Sequence, residues 1–108
     1  MYLIRRVWNV KPREARQAAS VAAEIGKVYQ DADQRDSVQV YFNGGTLPGE
    51  KDRVYMQWTT EVIDSPYRGE NVFPDRTGEL GAKMRSLTTE SWIEFYELLT
   101  EDKALELD

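Results

Sequence analysis

Two residue types are missing from this chain of 108 residues: it has no cysteine and no histidine. Without cysteine there is no disulfide framework, no thiol nucleophile and no thiolate metal site. Without histidine go the commonest general base, the Ser-His and Cys-His nucleophile pairs, and most zinc and haem ligation. Any catalysis must therefore run on Asp, Glu, Tyr, Lys, Arg or the backbone, and no cofactor or metal is expected. Long apolar runs are missing too. None approaches the roughly 20 residues of a membrane span, and the N-terminus has no apolar signal-peptide core. Positive charge is in deficit, with 14 Lys and Arg against 19 Asp and Glu, a net charge of -5. That disfavours non-specific nucleic-acid binding and docking on anionic membranes. These features fit a cytoplasmic protein with neither kind of partner.

What is present suffices for a core. Hydrophobic residues make up 41% and aromatic residues 11% of the chain, and the length suits one domain over residues 1–100. Residues 2–10 are rich in β-branched and aromatic types and read as a strand, ended by Lys11-Pro12. From Arg13 to about Arg35 the period becomes helical. Ala15, Ala18, Ala19, Ala22, Ile25 and Tyr29 recur at three- and four-residue steps. Pro12 suits a first helical turn.

Ser37 to Phe42 read as a second strand. Asn43 to Glu50 are dense in turn residues, with the glycines serving turn geometry. Residues 53–61, Arg-Val-Tyr-Met-Gln-Trp-Thr-Thr-Glu, follow as the strongest strand signal and form a hairpin with the second strand. Residues 62–74 are irregular. Leu80, Met84 and Leu87 mark a second helix over 75–87. The segment 91–99 fits both helical and alternating steps, and its aromatic and β-branched content favours a strand. Residues 101–108 form a charged tail.

The order is βαββαβ: an α+β, ferredoxin-like plan with two helices on one face of a four-stranded antiparallel sheet. Trp8, Trp58, Trp92, Tyr41, Tyr55 and Tyr96 are too many to fit beneath two helices. The open face is therefore expected to pack on a second copy as a homodimer.

Val10-Lys11-Pro12-Arg13, Trp58-Thr59-Thr60-Glu61 and the closing Trp92-Ile93-Glu94-Phe95-Tyr96-Glu97-Leu98-Leu99 resemble the dimeric α/β-barrel superfamily. The likeness is greatest to its NIPSNAP-like and antibiotic-biosynthesis-monooxygenase-like branches and spans about residues 2–100. It implies two sheets facing across a dimer, with a pocket between helices and sheet in each subunit. Relatives include cofactor-independent monooxygenases, polyketide cyclases and haem degraders. The last use a histidine, which this chain lacks.

Alternation along strands groups the candidate residues. Trp58 goes with Met56 and Val54, Arg6 with Ile4 and Trp8, and Glu94 with Trp92 and Tyr96. Trp8, Tyr41, Met56, Trp58 and Trp92 are candidates to hold a small hydrophobic, aromatic or polyketide-like molecule, the tryptophans reading equally as core or dimer interface. Arg6 either clamps a ligand oxygen or pairs with a carboxylate such as Glu94. Glu94 and Tyr96 are the candidate acid–base groups, the glutamate only if burial raises its pKa. The carboxylates of Asp31, Asp33 and Asp36 lack the spacing of a calcium loop and read as a solvated helix exit. Two functions follow. One is a cofactor-independent monooxygenase or cyclase/isomerase with Arg6, Glu94 and Tyr96 catalytic; the other is a non-catalytic binding or accessory protein.

Overall fold

The computed structural model describes residues 1–32, 36–63 and 77–107. In chain order the elements are β1 (Tyr2–Val10), α1 (Ala15–Asp31), β2 (Asp36–Asn43), β3 (Arg53–Thr60), α2 (Thr77–Leu87) and β4 (Thr88–Glu97). They build one four-stranded sheet in the order β2-β3-β1-β4. β1 pairs antiparallel with both β3 and β4, and β2 pairs antiparallel with β3. This is the ferredoxin-like arrangement that the order of elements predicts.

α1 starts two residues later than its apolar period suggests. Arg13 takes a left-handed backbone with φ 71°, which no α-helix accommodates. The Glu14 amide donates to the Lys11 carbonyl at 3.1 Å, so Lys11-Pro12-Arg13 is a turn and the helix begins at Ala15. The residues from Asp33 onward in the expected helix lie outside the described ones.

Once started, α1 buries Ala15, Ala18, Ala19, Val21, Ala22 and Gly26. Small side chains let its axis lie close to β2 and β3. The resulting core joins Ile4, Trp8 and Val10 of β1 with Val54, Met56 and Trp58 of β3, and is closed by Leu80 and Met84 of α2.

β4 is a strand, but it runs 88–97 rather than 91–99. It leaves α2 with no loop: the Lys11 amide donates to the Leu87 carbonyl at 2.9 Å, and a register shift at Asn9/Val10 absorbs the junction. Thr88-Thr89-Glu90 is polar throughout, with only the two threonines β-branched, which hides the start of the strand from a hydrophobic pattern. Its far end is set by its neighbour, because Glu97 pairs with Tyr2, the first residue of β1. Leu98 adds only its amide, donated to the Met1 carbonyl at 3.0 Å.

The hairpin loop uses its turn residues as turns. The Asn43 side-chain oxygen accepts the Gly45 amide at 2.9 Å while its amide donates to the Leu47 carbonyl at 3.1 Å. Gly45 and Gly49 take φ of 110° and 115°, where only glycine rests without strain. The irregular reading for residues 64–74 and the helix start at 75–76 lie outside the described residues. Among the described residues, no helix is long and apolar enough to cross a membrane.

Candidate functional site

Antiparallel pairing keeps partnered residues on the same face, so register divides the sheet. Ile4, Arg6 and Trp8 of β1 lie opposite Trp58, Met56 and Val54 of β3, and this face carries the helices. Leu3, Arg5 and Val7 lie opposite Thr59, Gln57 and Tyr55, and also opposite Tyr96, Glu94 and Trp92 of β4. Among the described residues, no helix covers this second face.

On the helix face a pocket of about 300 Å³ opens between sheet and helices. β1 supplies Arg6 and Trp8, β3 Met56, α1 Ile25 and Tyr29, and α2 Met84 and Arg85. Thr88 and Ser91 of β4 close one side. The Thr88 hydroxyl is already used, donating to the Met84 carbonyl at 2.7 Å. The Arg6 guanidinium lies over the Trp8 indole, 5.4 Å from the ring centroid, within cation–π range. Its lining mixes apolar side chains, Trp8, Met56 and Met84, with polar ones, Arg6, Arg85 and Ser91.

The open face carries a different construction. The Glu94 carboxylate accepts from the Trp92 indole N–H at 2.8 Å and from the Tyr96 hydroxyl at 2.7 Å. Arg5 Nε stands 3.8 Å from the same carboxylate, too far for a hydrogen bond, and that nitrogen is buried without one. The Arg5 guanidinium is instead stacked 4.2 Å from the Tyr55 centroid. Arg53 donates to the Asn9 side-chain oxygen at 2.8 Å and lies 5.2 Å from the Trp92 centroid. Beneath this layer Val7 is only 1% exposed, although it stands apart from the main core. Its register partners are Tyr55 and Trp92, the rings on which the two arginines stack.

Hydrogen bonding sets the electrostatics here. The Tyr96 hydroxyl and then the Trp92 indole hold the Glu94 carboxyl below its ordinary range, with Arg5 and Arg53 adding to the effect. Reciprocally, donation to Glu94 raises the Tyr96 hydroxyl above its ordinary value. A carboxylate depressed in this way is a poor proton acceptor, and a phenol raised in this way is a poor donor near neutral pH.

No family model matches the sequence, and no curated protein matches it either. Solved structures do. A NIPSNAP family protein of Agrobacterium tumefaciens strain C58 is 18% identical and has a TM-score of 0.66, the match covering 97% of this chain and 98% of that one. A second Agrobacterium tumefaciens protein is 12% identical with a TM-score of 0.59, covering 94% and 96%. The chain has a NIPSNAP-like fold. At these identities the likeness speaks of the fold alone.

Within the NIPSNAP-like fold, the sheet separates the residues that sequence reasoning grouped. Arg6, Trp8 and Met56 meet in the pocket. Trp58 faces the helices, as alternation requires, but packs into the core beside Ile4 and is not among the residues lining this pocket. Glu94, Tyr96, Trp92 and Tyr41 stand on the open face. The expected pairing of Arg6 with Glu94 does not form. Register puts Ile93 beside Arg6 and Glu94 beside Arg5, so the carboxylate points through the opposite side of the sheet. Nor is the Glu94 carboxyl raised by burial; its hydrogen bonds lower it. Of the Asp31, Asp33 and Asp36 group, Asp33 and the Asp36 side chain lie outside what is described.

Several lining residues escaped the sequence: Ile25 and Tyr29 as pocket wall rather than helix stripe, and Met84 and Arg85 at the end of α2. Arg85 had a sufficient local reading, since a cation in the last turn of a helix complements its dipole. Only the packing of α2 against α1 and β4 brings it to the pocket.

Proposed function

We propose that this chain is a binding protein for a small hydrophobic or aromatic molecule, held between helices and sheet. The observation that carries the reading is the pocket itself. At about 300 Å³, with Trp8, Met56 and Met84 as apolar walls and Arg6, Arg85 and Ser91 as polar groups, it has the make-up of ligand clefts, which run from about 300 to 1,000 Å³.

Binding is favoured over catalysis by the position of the acid–base candidates. A monooxygenase acting on a phenol, or a cyclase/isomerase, needs a group that moves a proton at the ligand. Glu94 and Tyr96 are on the far face of the sheet from Arg6 and bond to each other. The catalytic trio of Arg6, Glu94 and Tyr96 therefore does not work as one unit within a subunit.

The same reading includes a homodimer through the open face. Exposed Tyr41 and Tyr96, together with the ordered Arg5–Tyr55 and Arg53–Trp92 stacks, give that face aromatic surface of the kind enriched at interfaces. Native mass spectrometry of the purified protein tests both parts. The reading expects a dimer that carries a small organic adduct, which is lost when Trp8 is replaced by Ala. A monomer at micromolar concentration sinks the dimer. Equal adduct retention in Trp8→Ala sinks the pocket.

A further inference from the structure

The pocket carries a charge pattern that its shape does not require. The chain as a whole is net negative, at -5. Yet the pocket lining holds Arg6 and Arg85 and, among the described residues, no Asp or Glu. One cation comes from the sheet side on β1 and the other from the helix side on α2. Against so acidic a background, this local inversion calls for a negative partner.

The other sheet arginines show what this chain does with guanidinium groups used structurally. Arg5 is stacked on Tyr55 and faces Glu94, and Arg53 is stacked on Trp92 and donates to Asn9. Arg6 and Arg85 form no ion pair with a carboxylate among the described residues. Arg6 lies 5.4 Å from the Trp8 ring centroid, a ring contact that still allows its N–H groups to meet an anion. Arg85 is aimed as well. Its guanidinium folds back one turn along α2, and a Cβ built on Gly81 would sit 3.3 Å from Arg85 Nη1. Glycine at 81 clears the path that side chains take toward a helix N-terminus.

We propose that the ligand is an organic monoanion: an apolar, planar body bearing one carboxylate. The carboxylate lies between Arg6 and Arg85, and the body rests against Trp8, Met56 and Met84. The proposal rests on the reading of this pocket as a ligand site. Guanidinium forks match the two oxygens of a carboxylate. α2 lines the pocket from Thr77 and Gly81 to Met84 and Arg85, so the charged groups that face the cavity are the two guanidinium side chains.

The test compares two probes of nearly equal shape, 2-naphthoate and uncharged 2-naphthol, by titration calorimetry on the full chain at pH 7. Naphthoate is expected to bind about tenfold more tightly than naphthol, the scale of one or two charge-assisted hydrogen bonds. In the Arg6→Gln, Arg85→Gln double variant the two affinities should converge to within about twofold, with naphthol unchanged. Arg6→Lys, Arg85→Lys should restore part of the preference, and added salt should weaken naphthoate alone. Unfolding midpoints equal to the parent confirm that the variants are folded. If naphthol binds as tightly as naphthoate, or the preference survives in the double Gln variant, the anion assignment is overturned. When Trp8→Phe still weakens both probes, the apolar pocket stands without it. Failure of both probes to bind overturns the assignment and the pocket reading together.

Discussion

Replacing Gly26 by Ala tests how tightly α1 is set on the sheet, and with it the wall that carries Ile25 and Tyr29. Two effects oppose each other. Ala is favoured over Gly in a helix interior by about 1 kcal/mol. Against that, the new Cβ would lie 2.5 Å from Val38 Cγ1 and 3.4 Å from Val38 Cβ. Valine is stiff about χ1, so relief requires a poor rotamer or a shift of helix against strand. Overpacking of this kind costs about 1–3 kcal/mol.

The clash wins, leaving a net loss of about 1 kcal/mol. With a urea slope of about 2 kcal/mol/M, the unfolding midpoint should fall by about 0.5 M. Val38→Ala removes the offending methyl. In that background Gly26→Ala should stabilise by up to about 1 kcal/mol, giving a coupling near 2 kcal/mol between the two positions. A rise in midpoint with Val38 intact, or the same shift in both backgrounds, would refute the close packing of α1 on β2.

Four further perturbations address the open face. Glu94 is depressed in the folded chain by its bonds from Tyr96 and Trp92, so it stabilises the fold above its unfolded pKa, and this is lost as pH falls through the folded value; Glu94→Gln should flatten the acid limb of a stability-against-pH profile, and an unchanged limb contradicts the network. Tyr96 is raised from 10.0, so its contribution is full below that pH and disappears as pH climbs through the folded value; Tyr96→Phe should abolish that alkaline loss. Trp92→Phe keeps a ring for Arg53 but removes the indole donor, and carbon-13 titration should then find the Glu94 carboxyl protonating at higher pH. Val7→Ala, at a buried site between Tyr55 and Trp92 in register, should cost about 2 kcal/mol from two lost methyl groups and the space they leave, read by urea unfolding.

The order of elements was legible because periodicity changes cleanly, from alternation at Tyr2–Val10 to the alanine stripe of α1 and back at Arg53–Thr60. Boundaries were not, wherever backbone geometry overrode side-chain pattern. Arg13 stops a helix that its neighbours would extend, and Thr88-Thr89-Glu90 form strand because β1 offers them partners. Alternation sorted residues correctly within each strand: Trp58 with Met56, Arg6 with Trp8, Glu94 with Tyr96. It cannot decide which set on one strand shares a face with which set on another. That depends on register across β1, where Arg5 and not Arg6 meets Glu94. The proposed acid–base site was split by this single offset. Val7 was equally hidden, since the rings beside it, Tyr55 and Trp92, come from neighbouring strands rather than from its neighbours in sequence.

The two faces carry separate reporters: the Met56 and Met84 methyls and the Trp8 indole on the helix side, the Trp92 indole on the other. Methyl and indole NMR shifts during titration with 2-naphthoate therefore test the central claim directly. The account predicts that Met56, Met84 and Trp8 move together and saturably while Trp92 does not. Shifts confined to Trp92, or none at the two methionines, would contradict it.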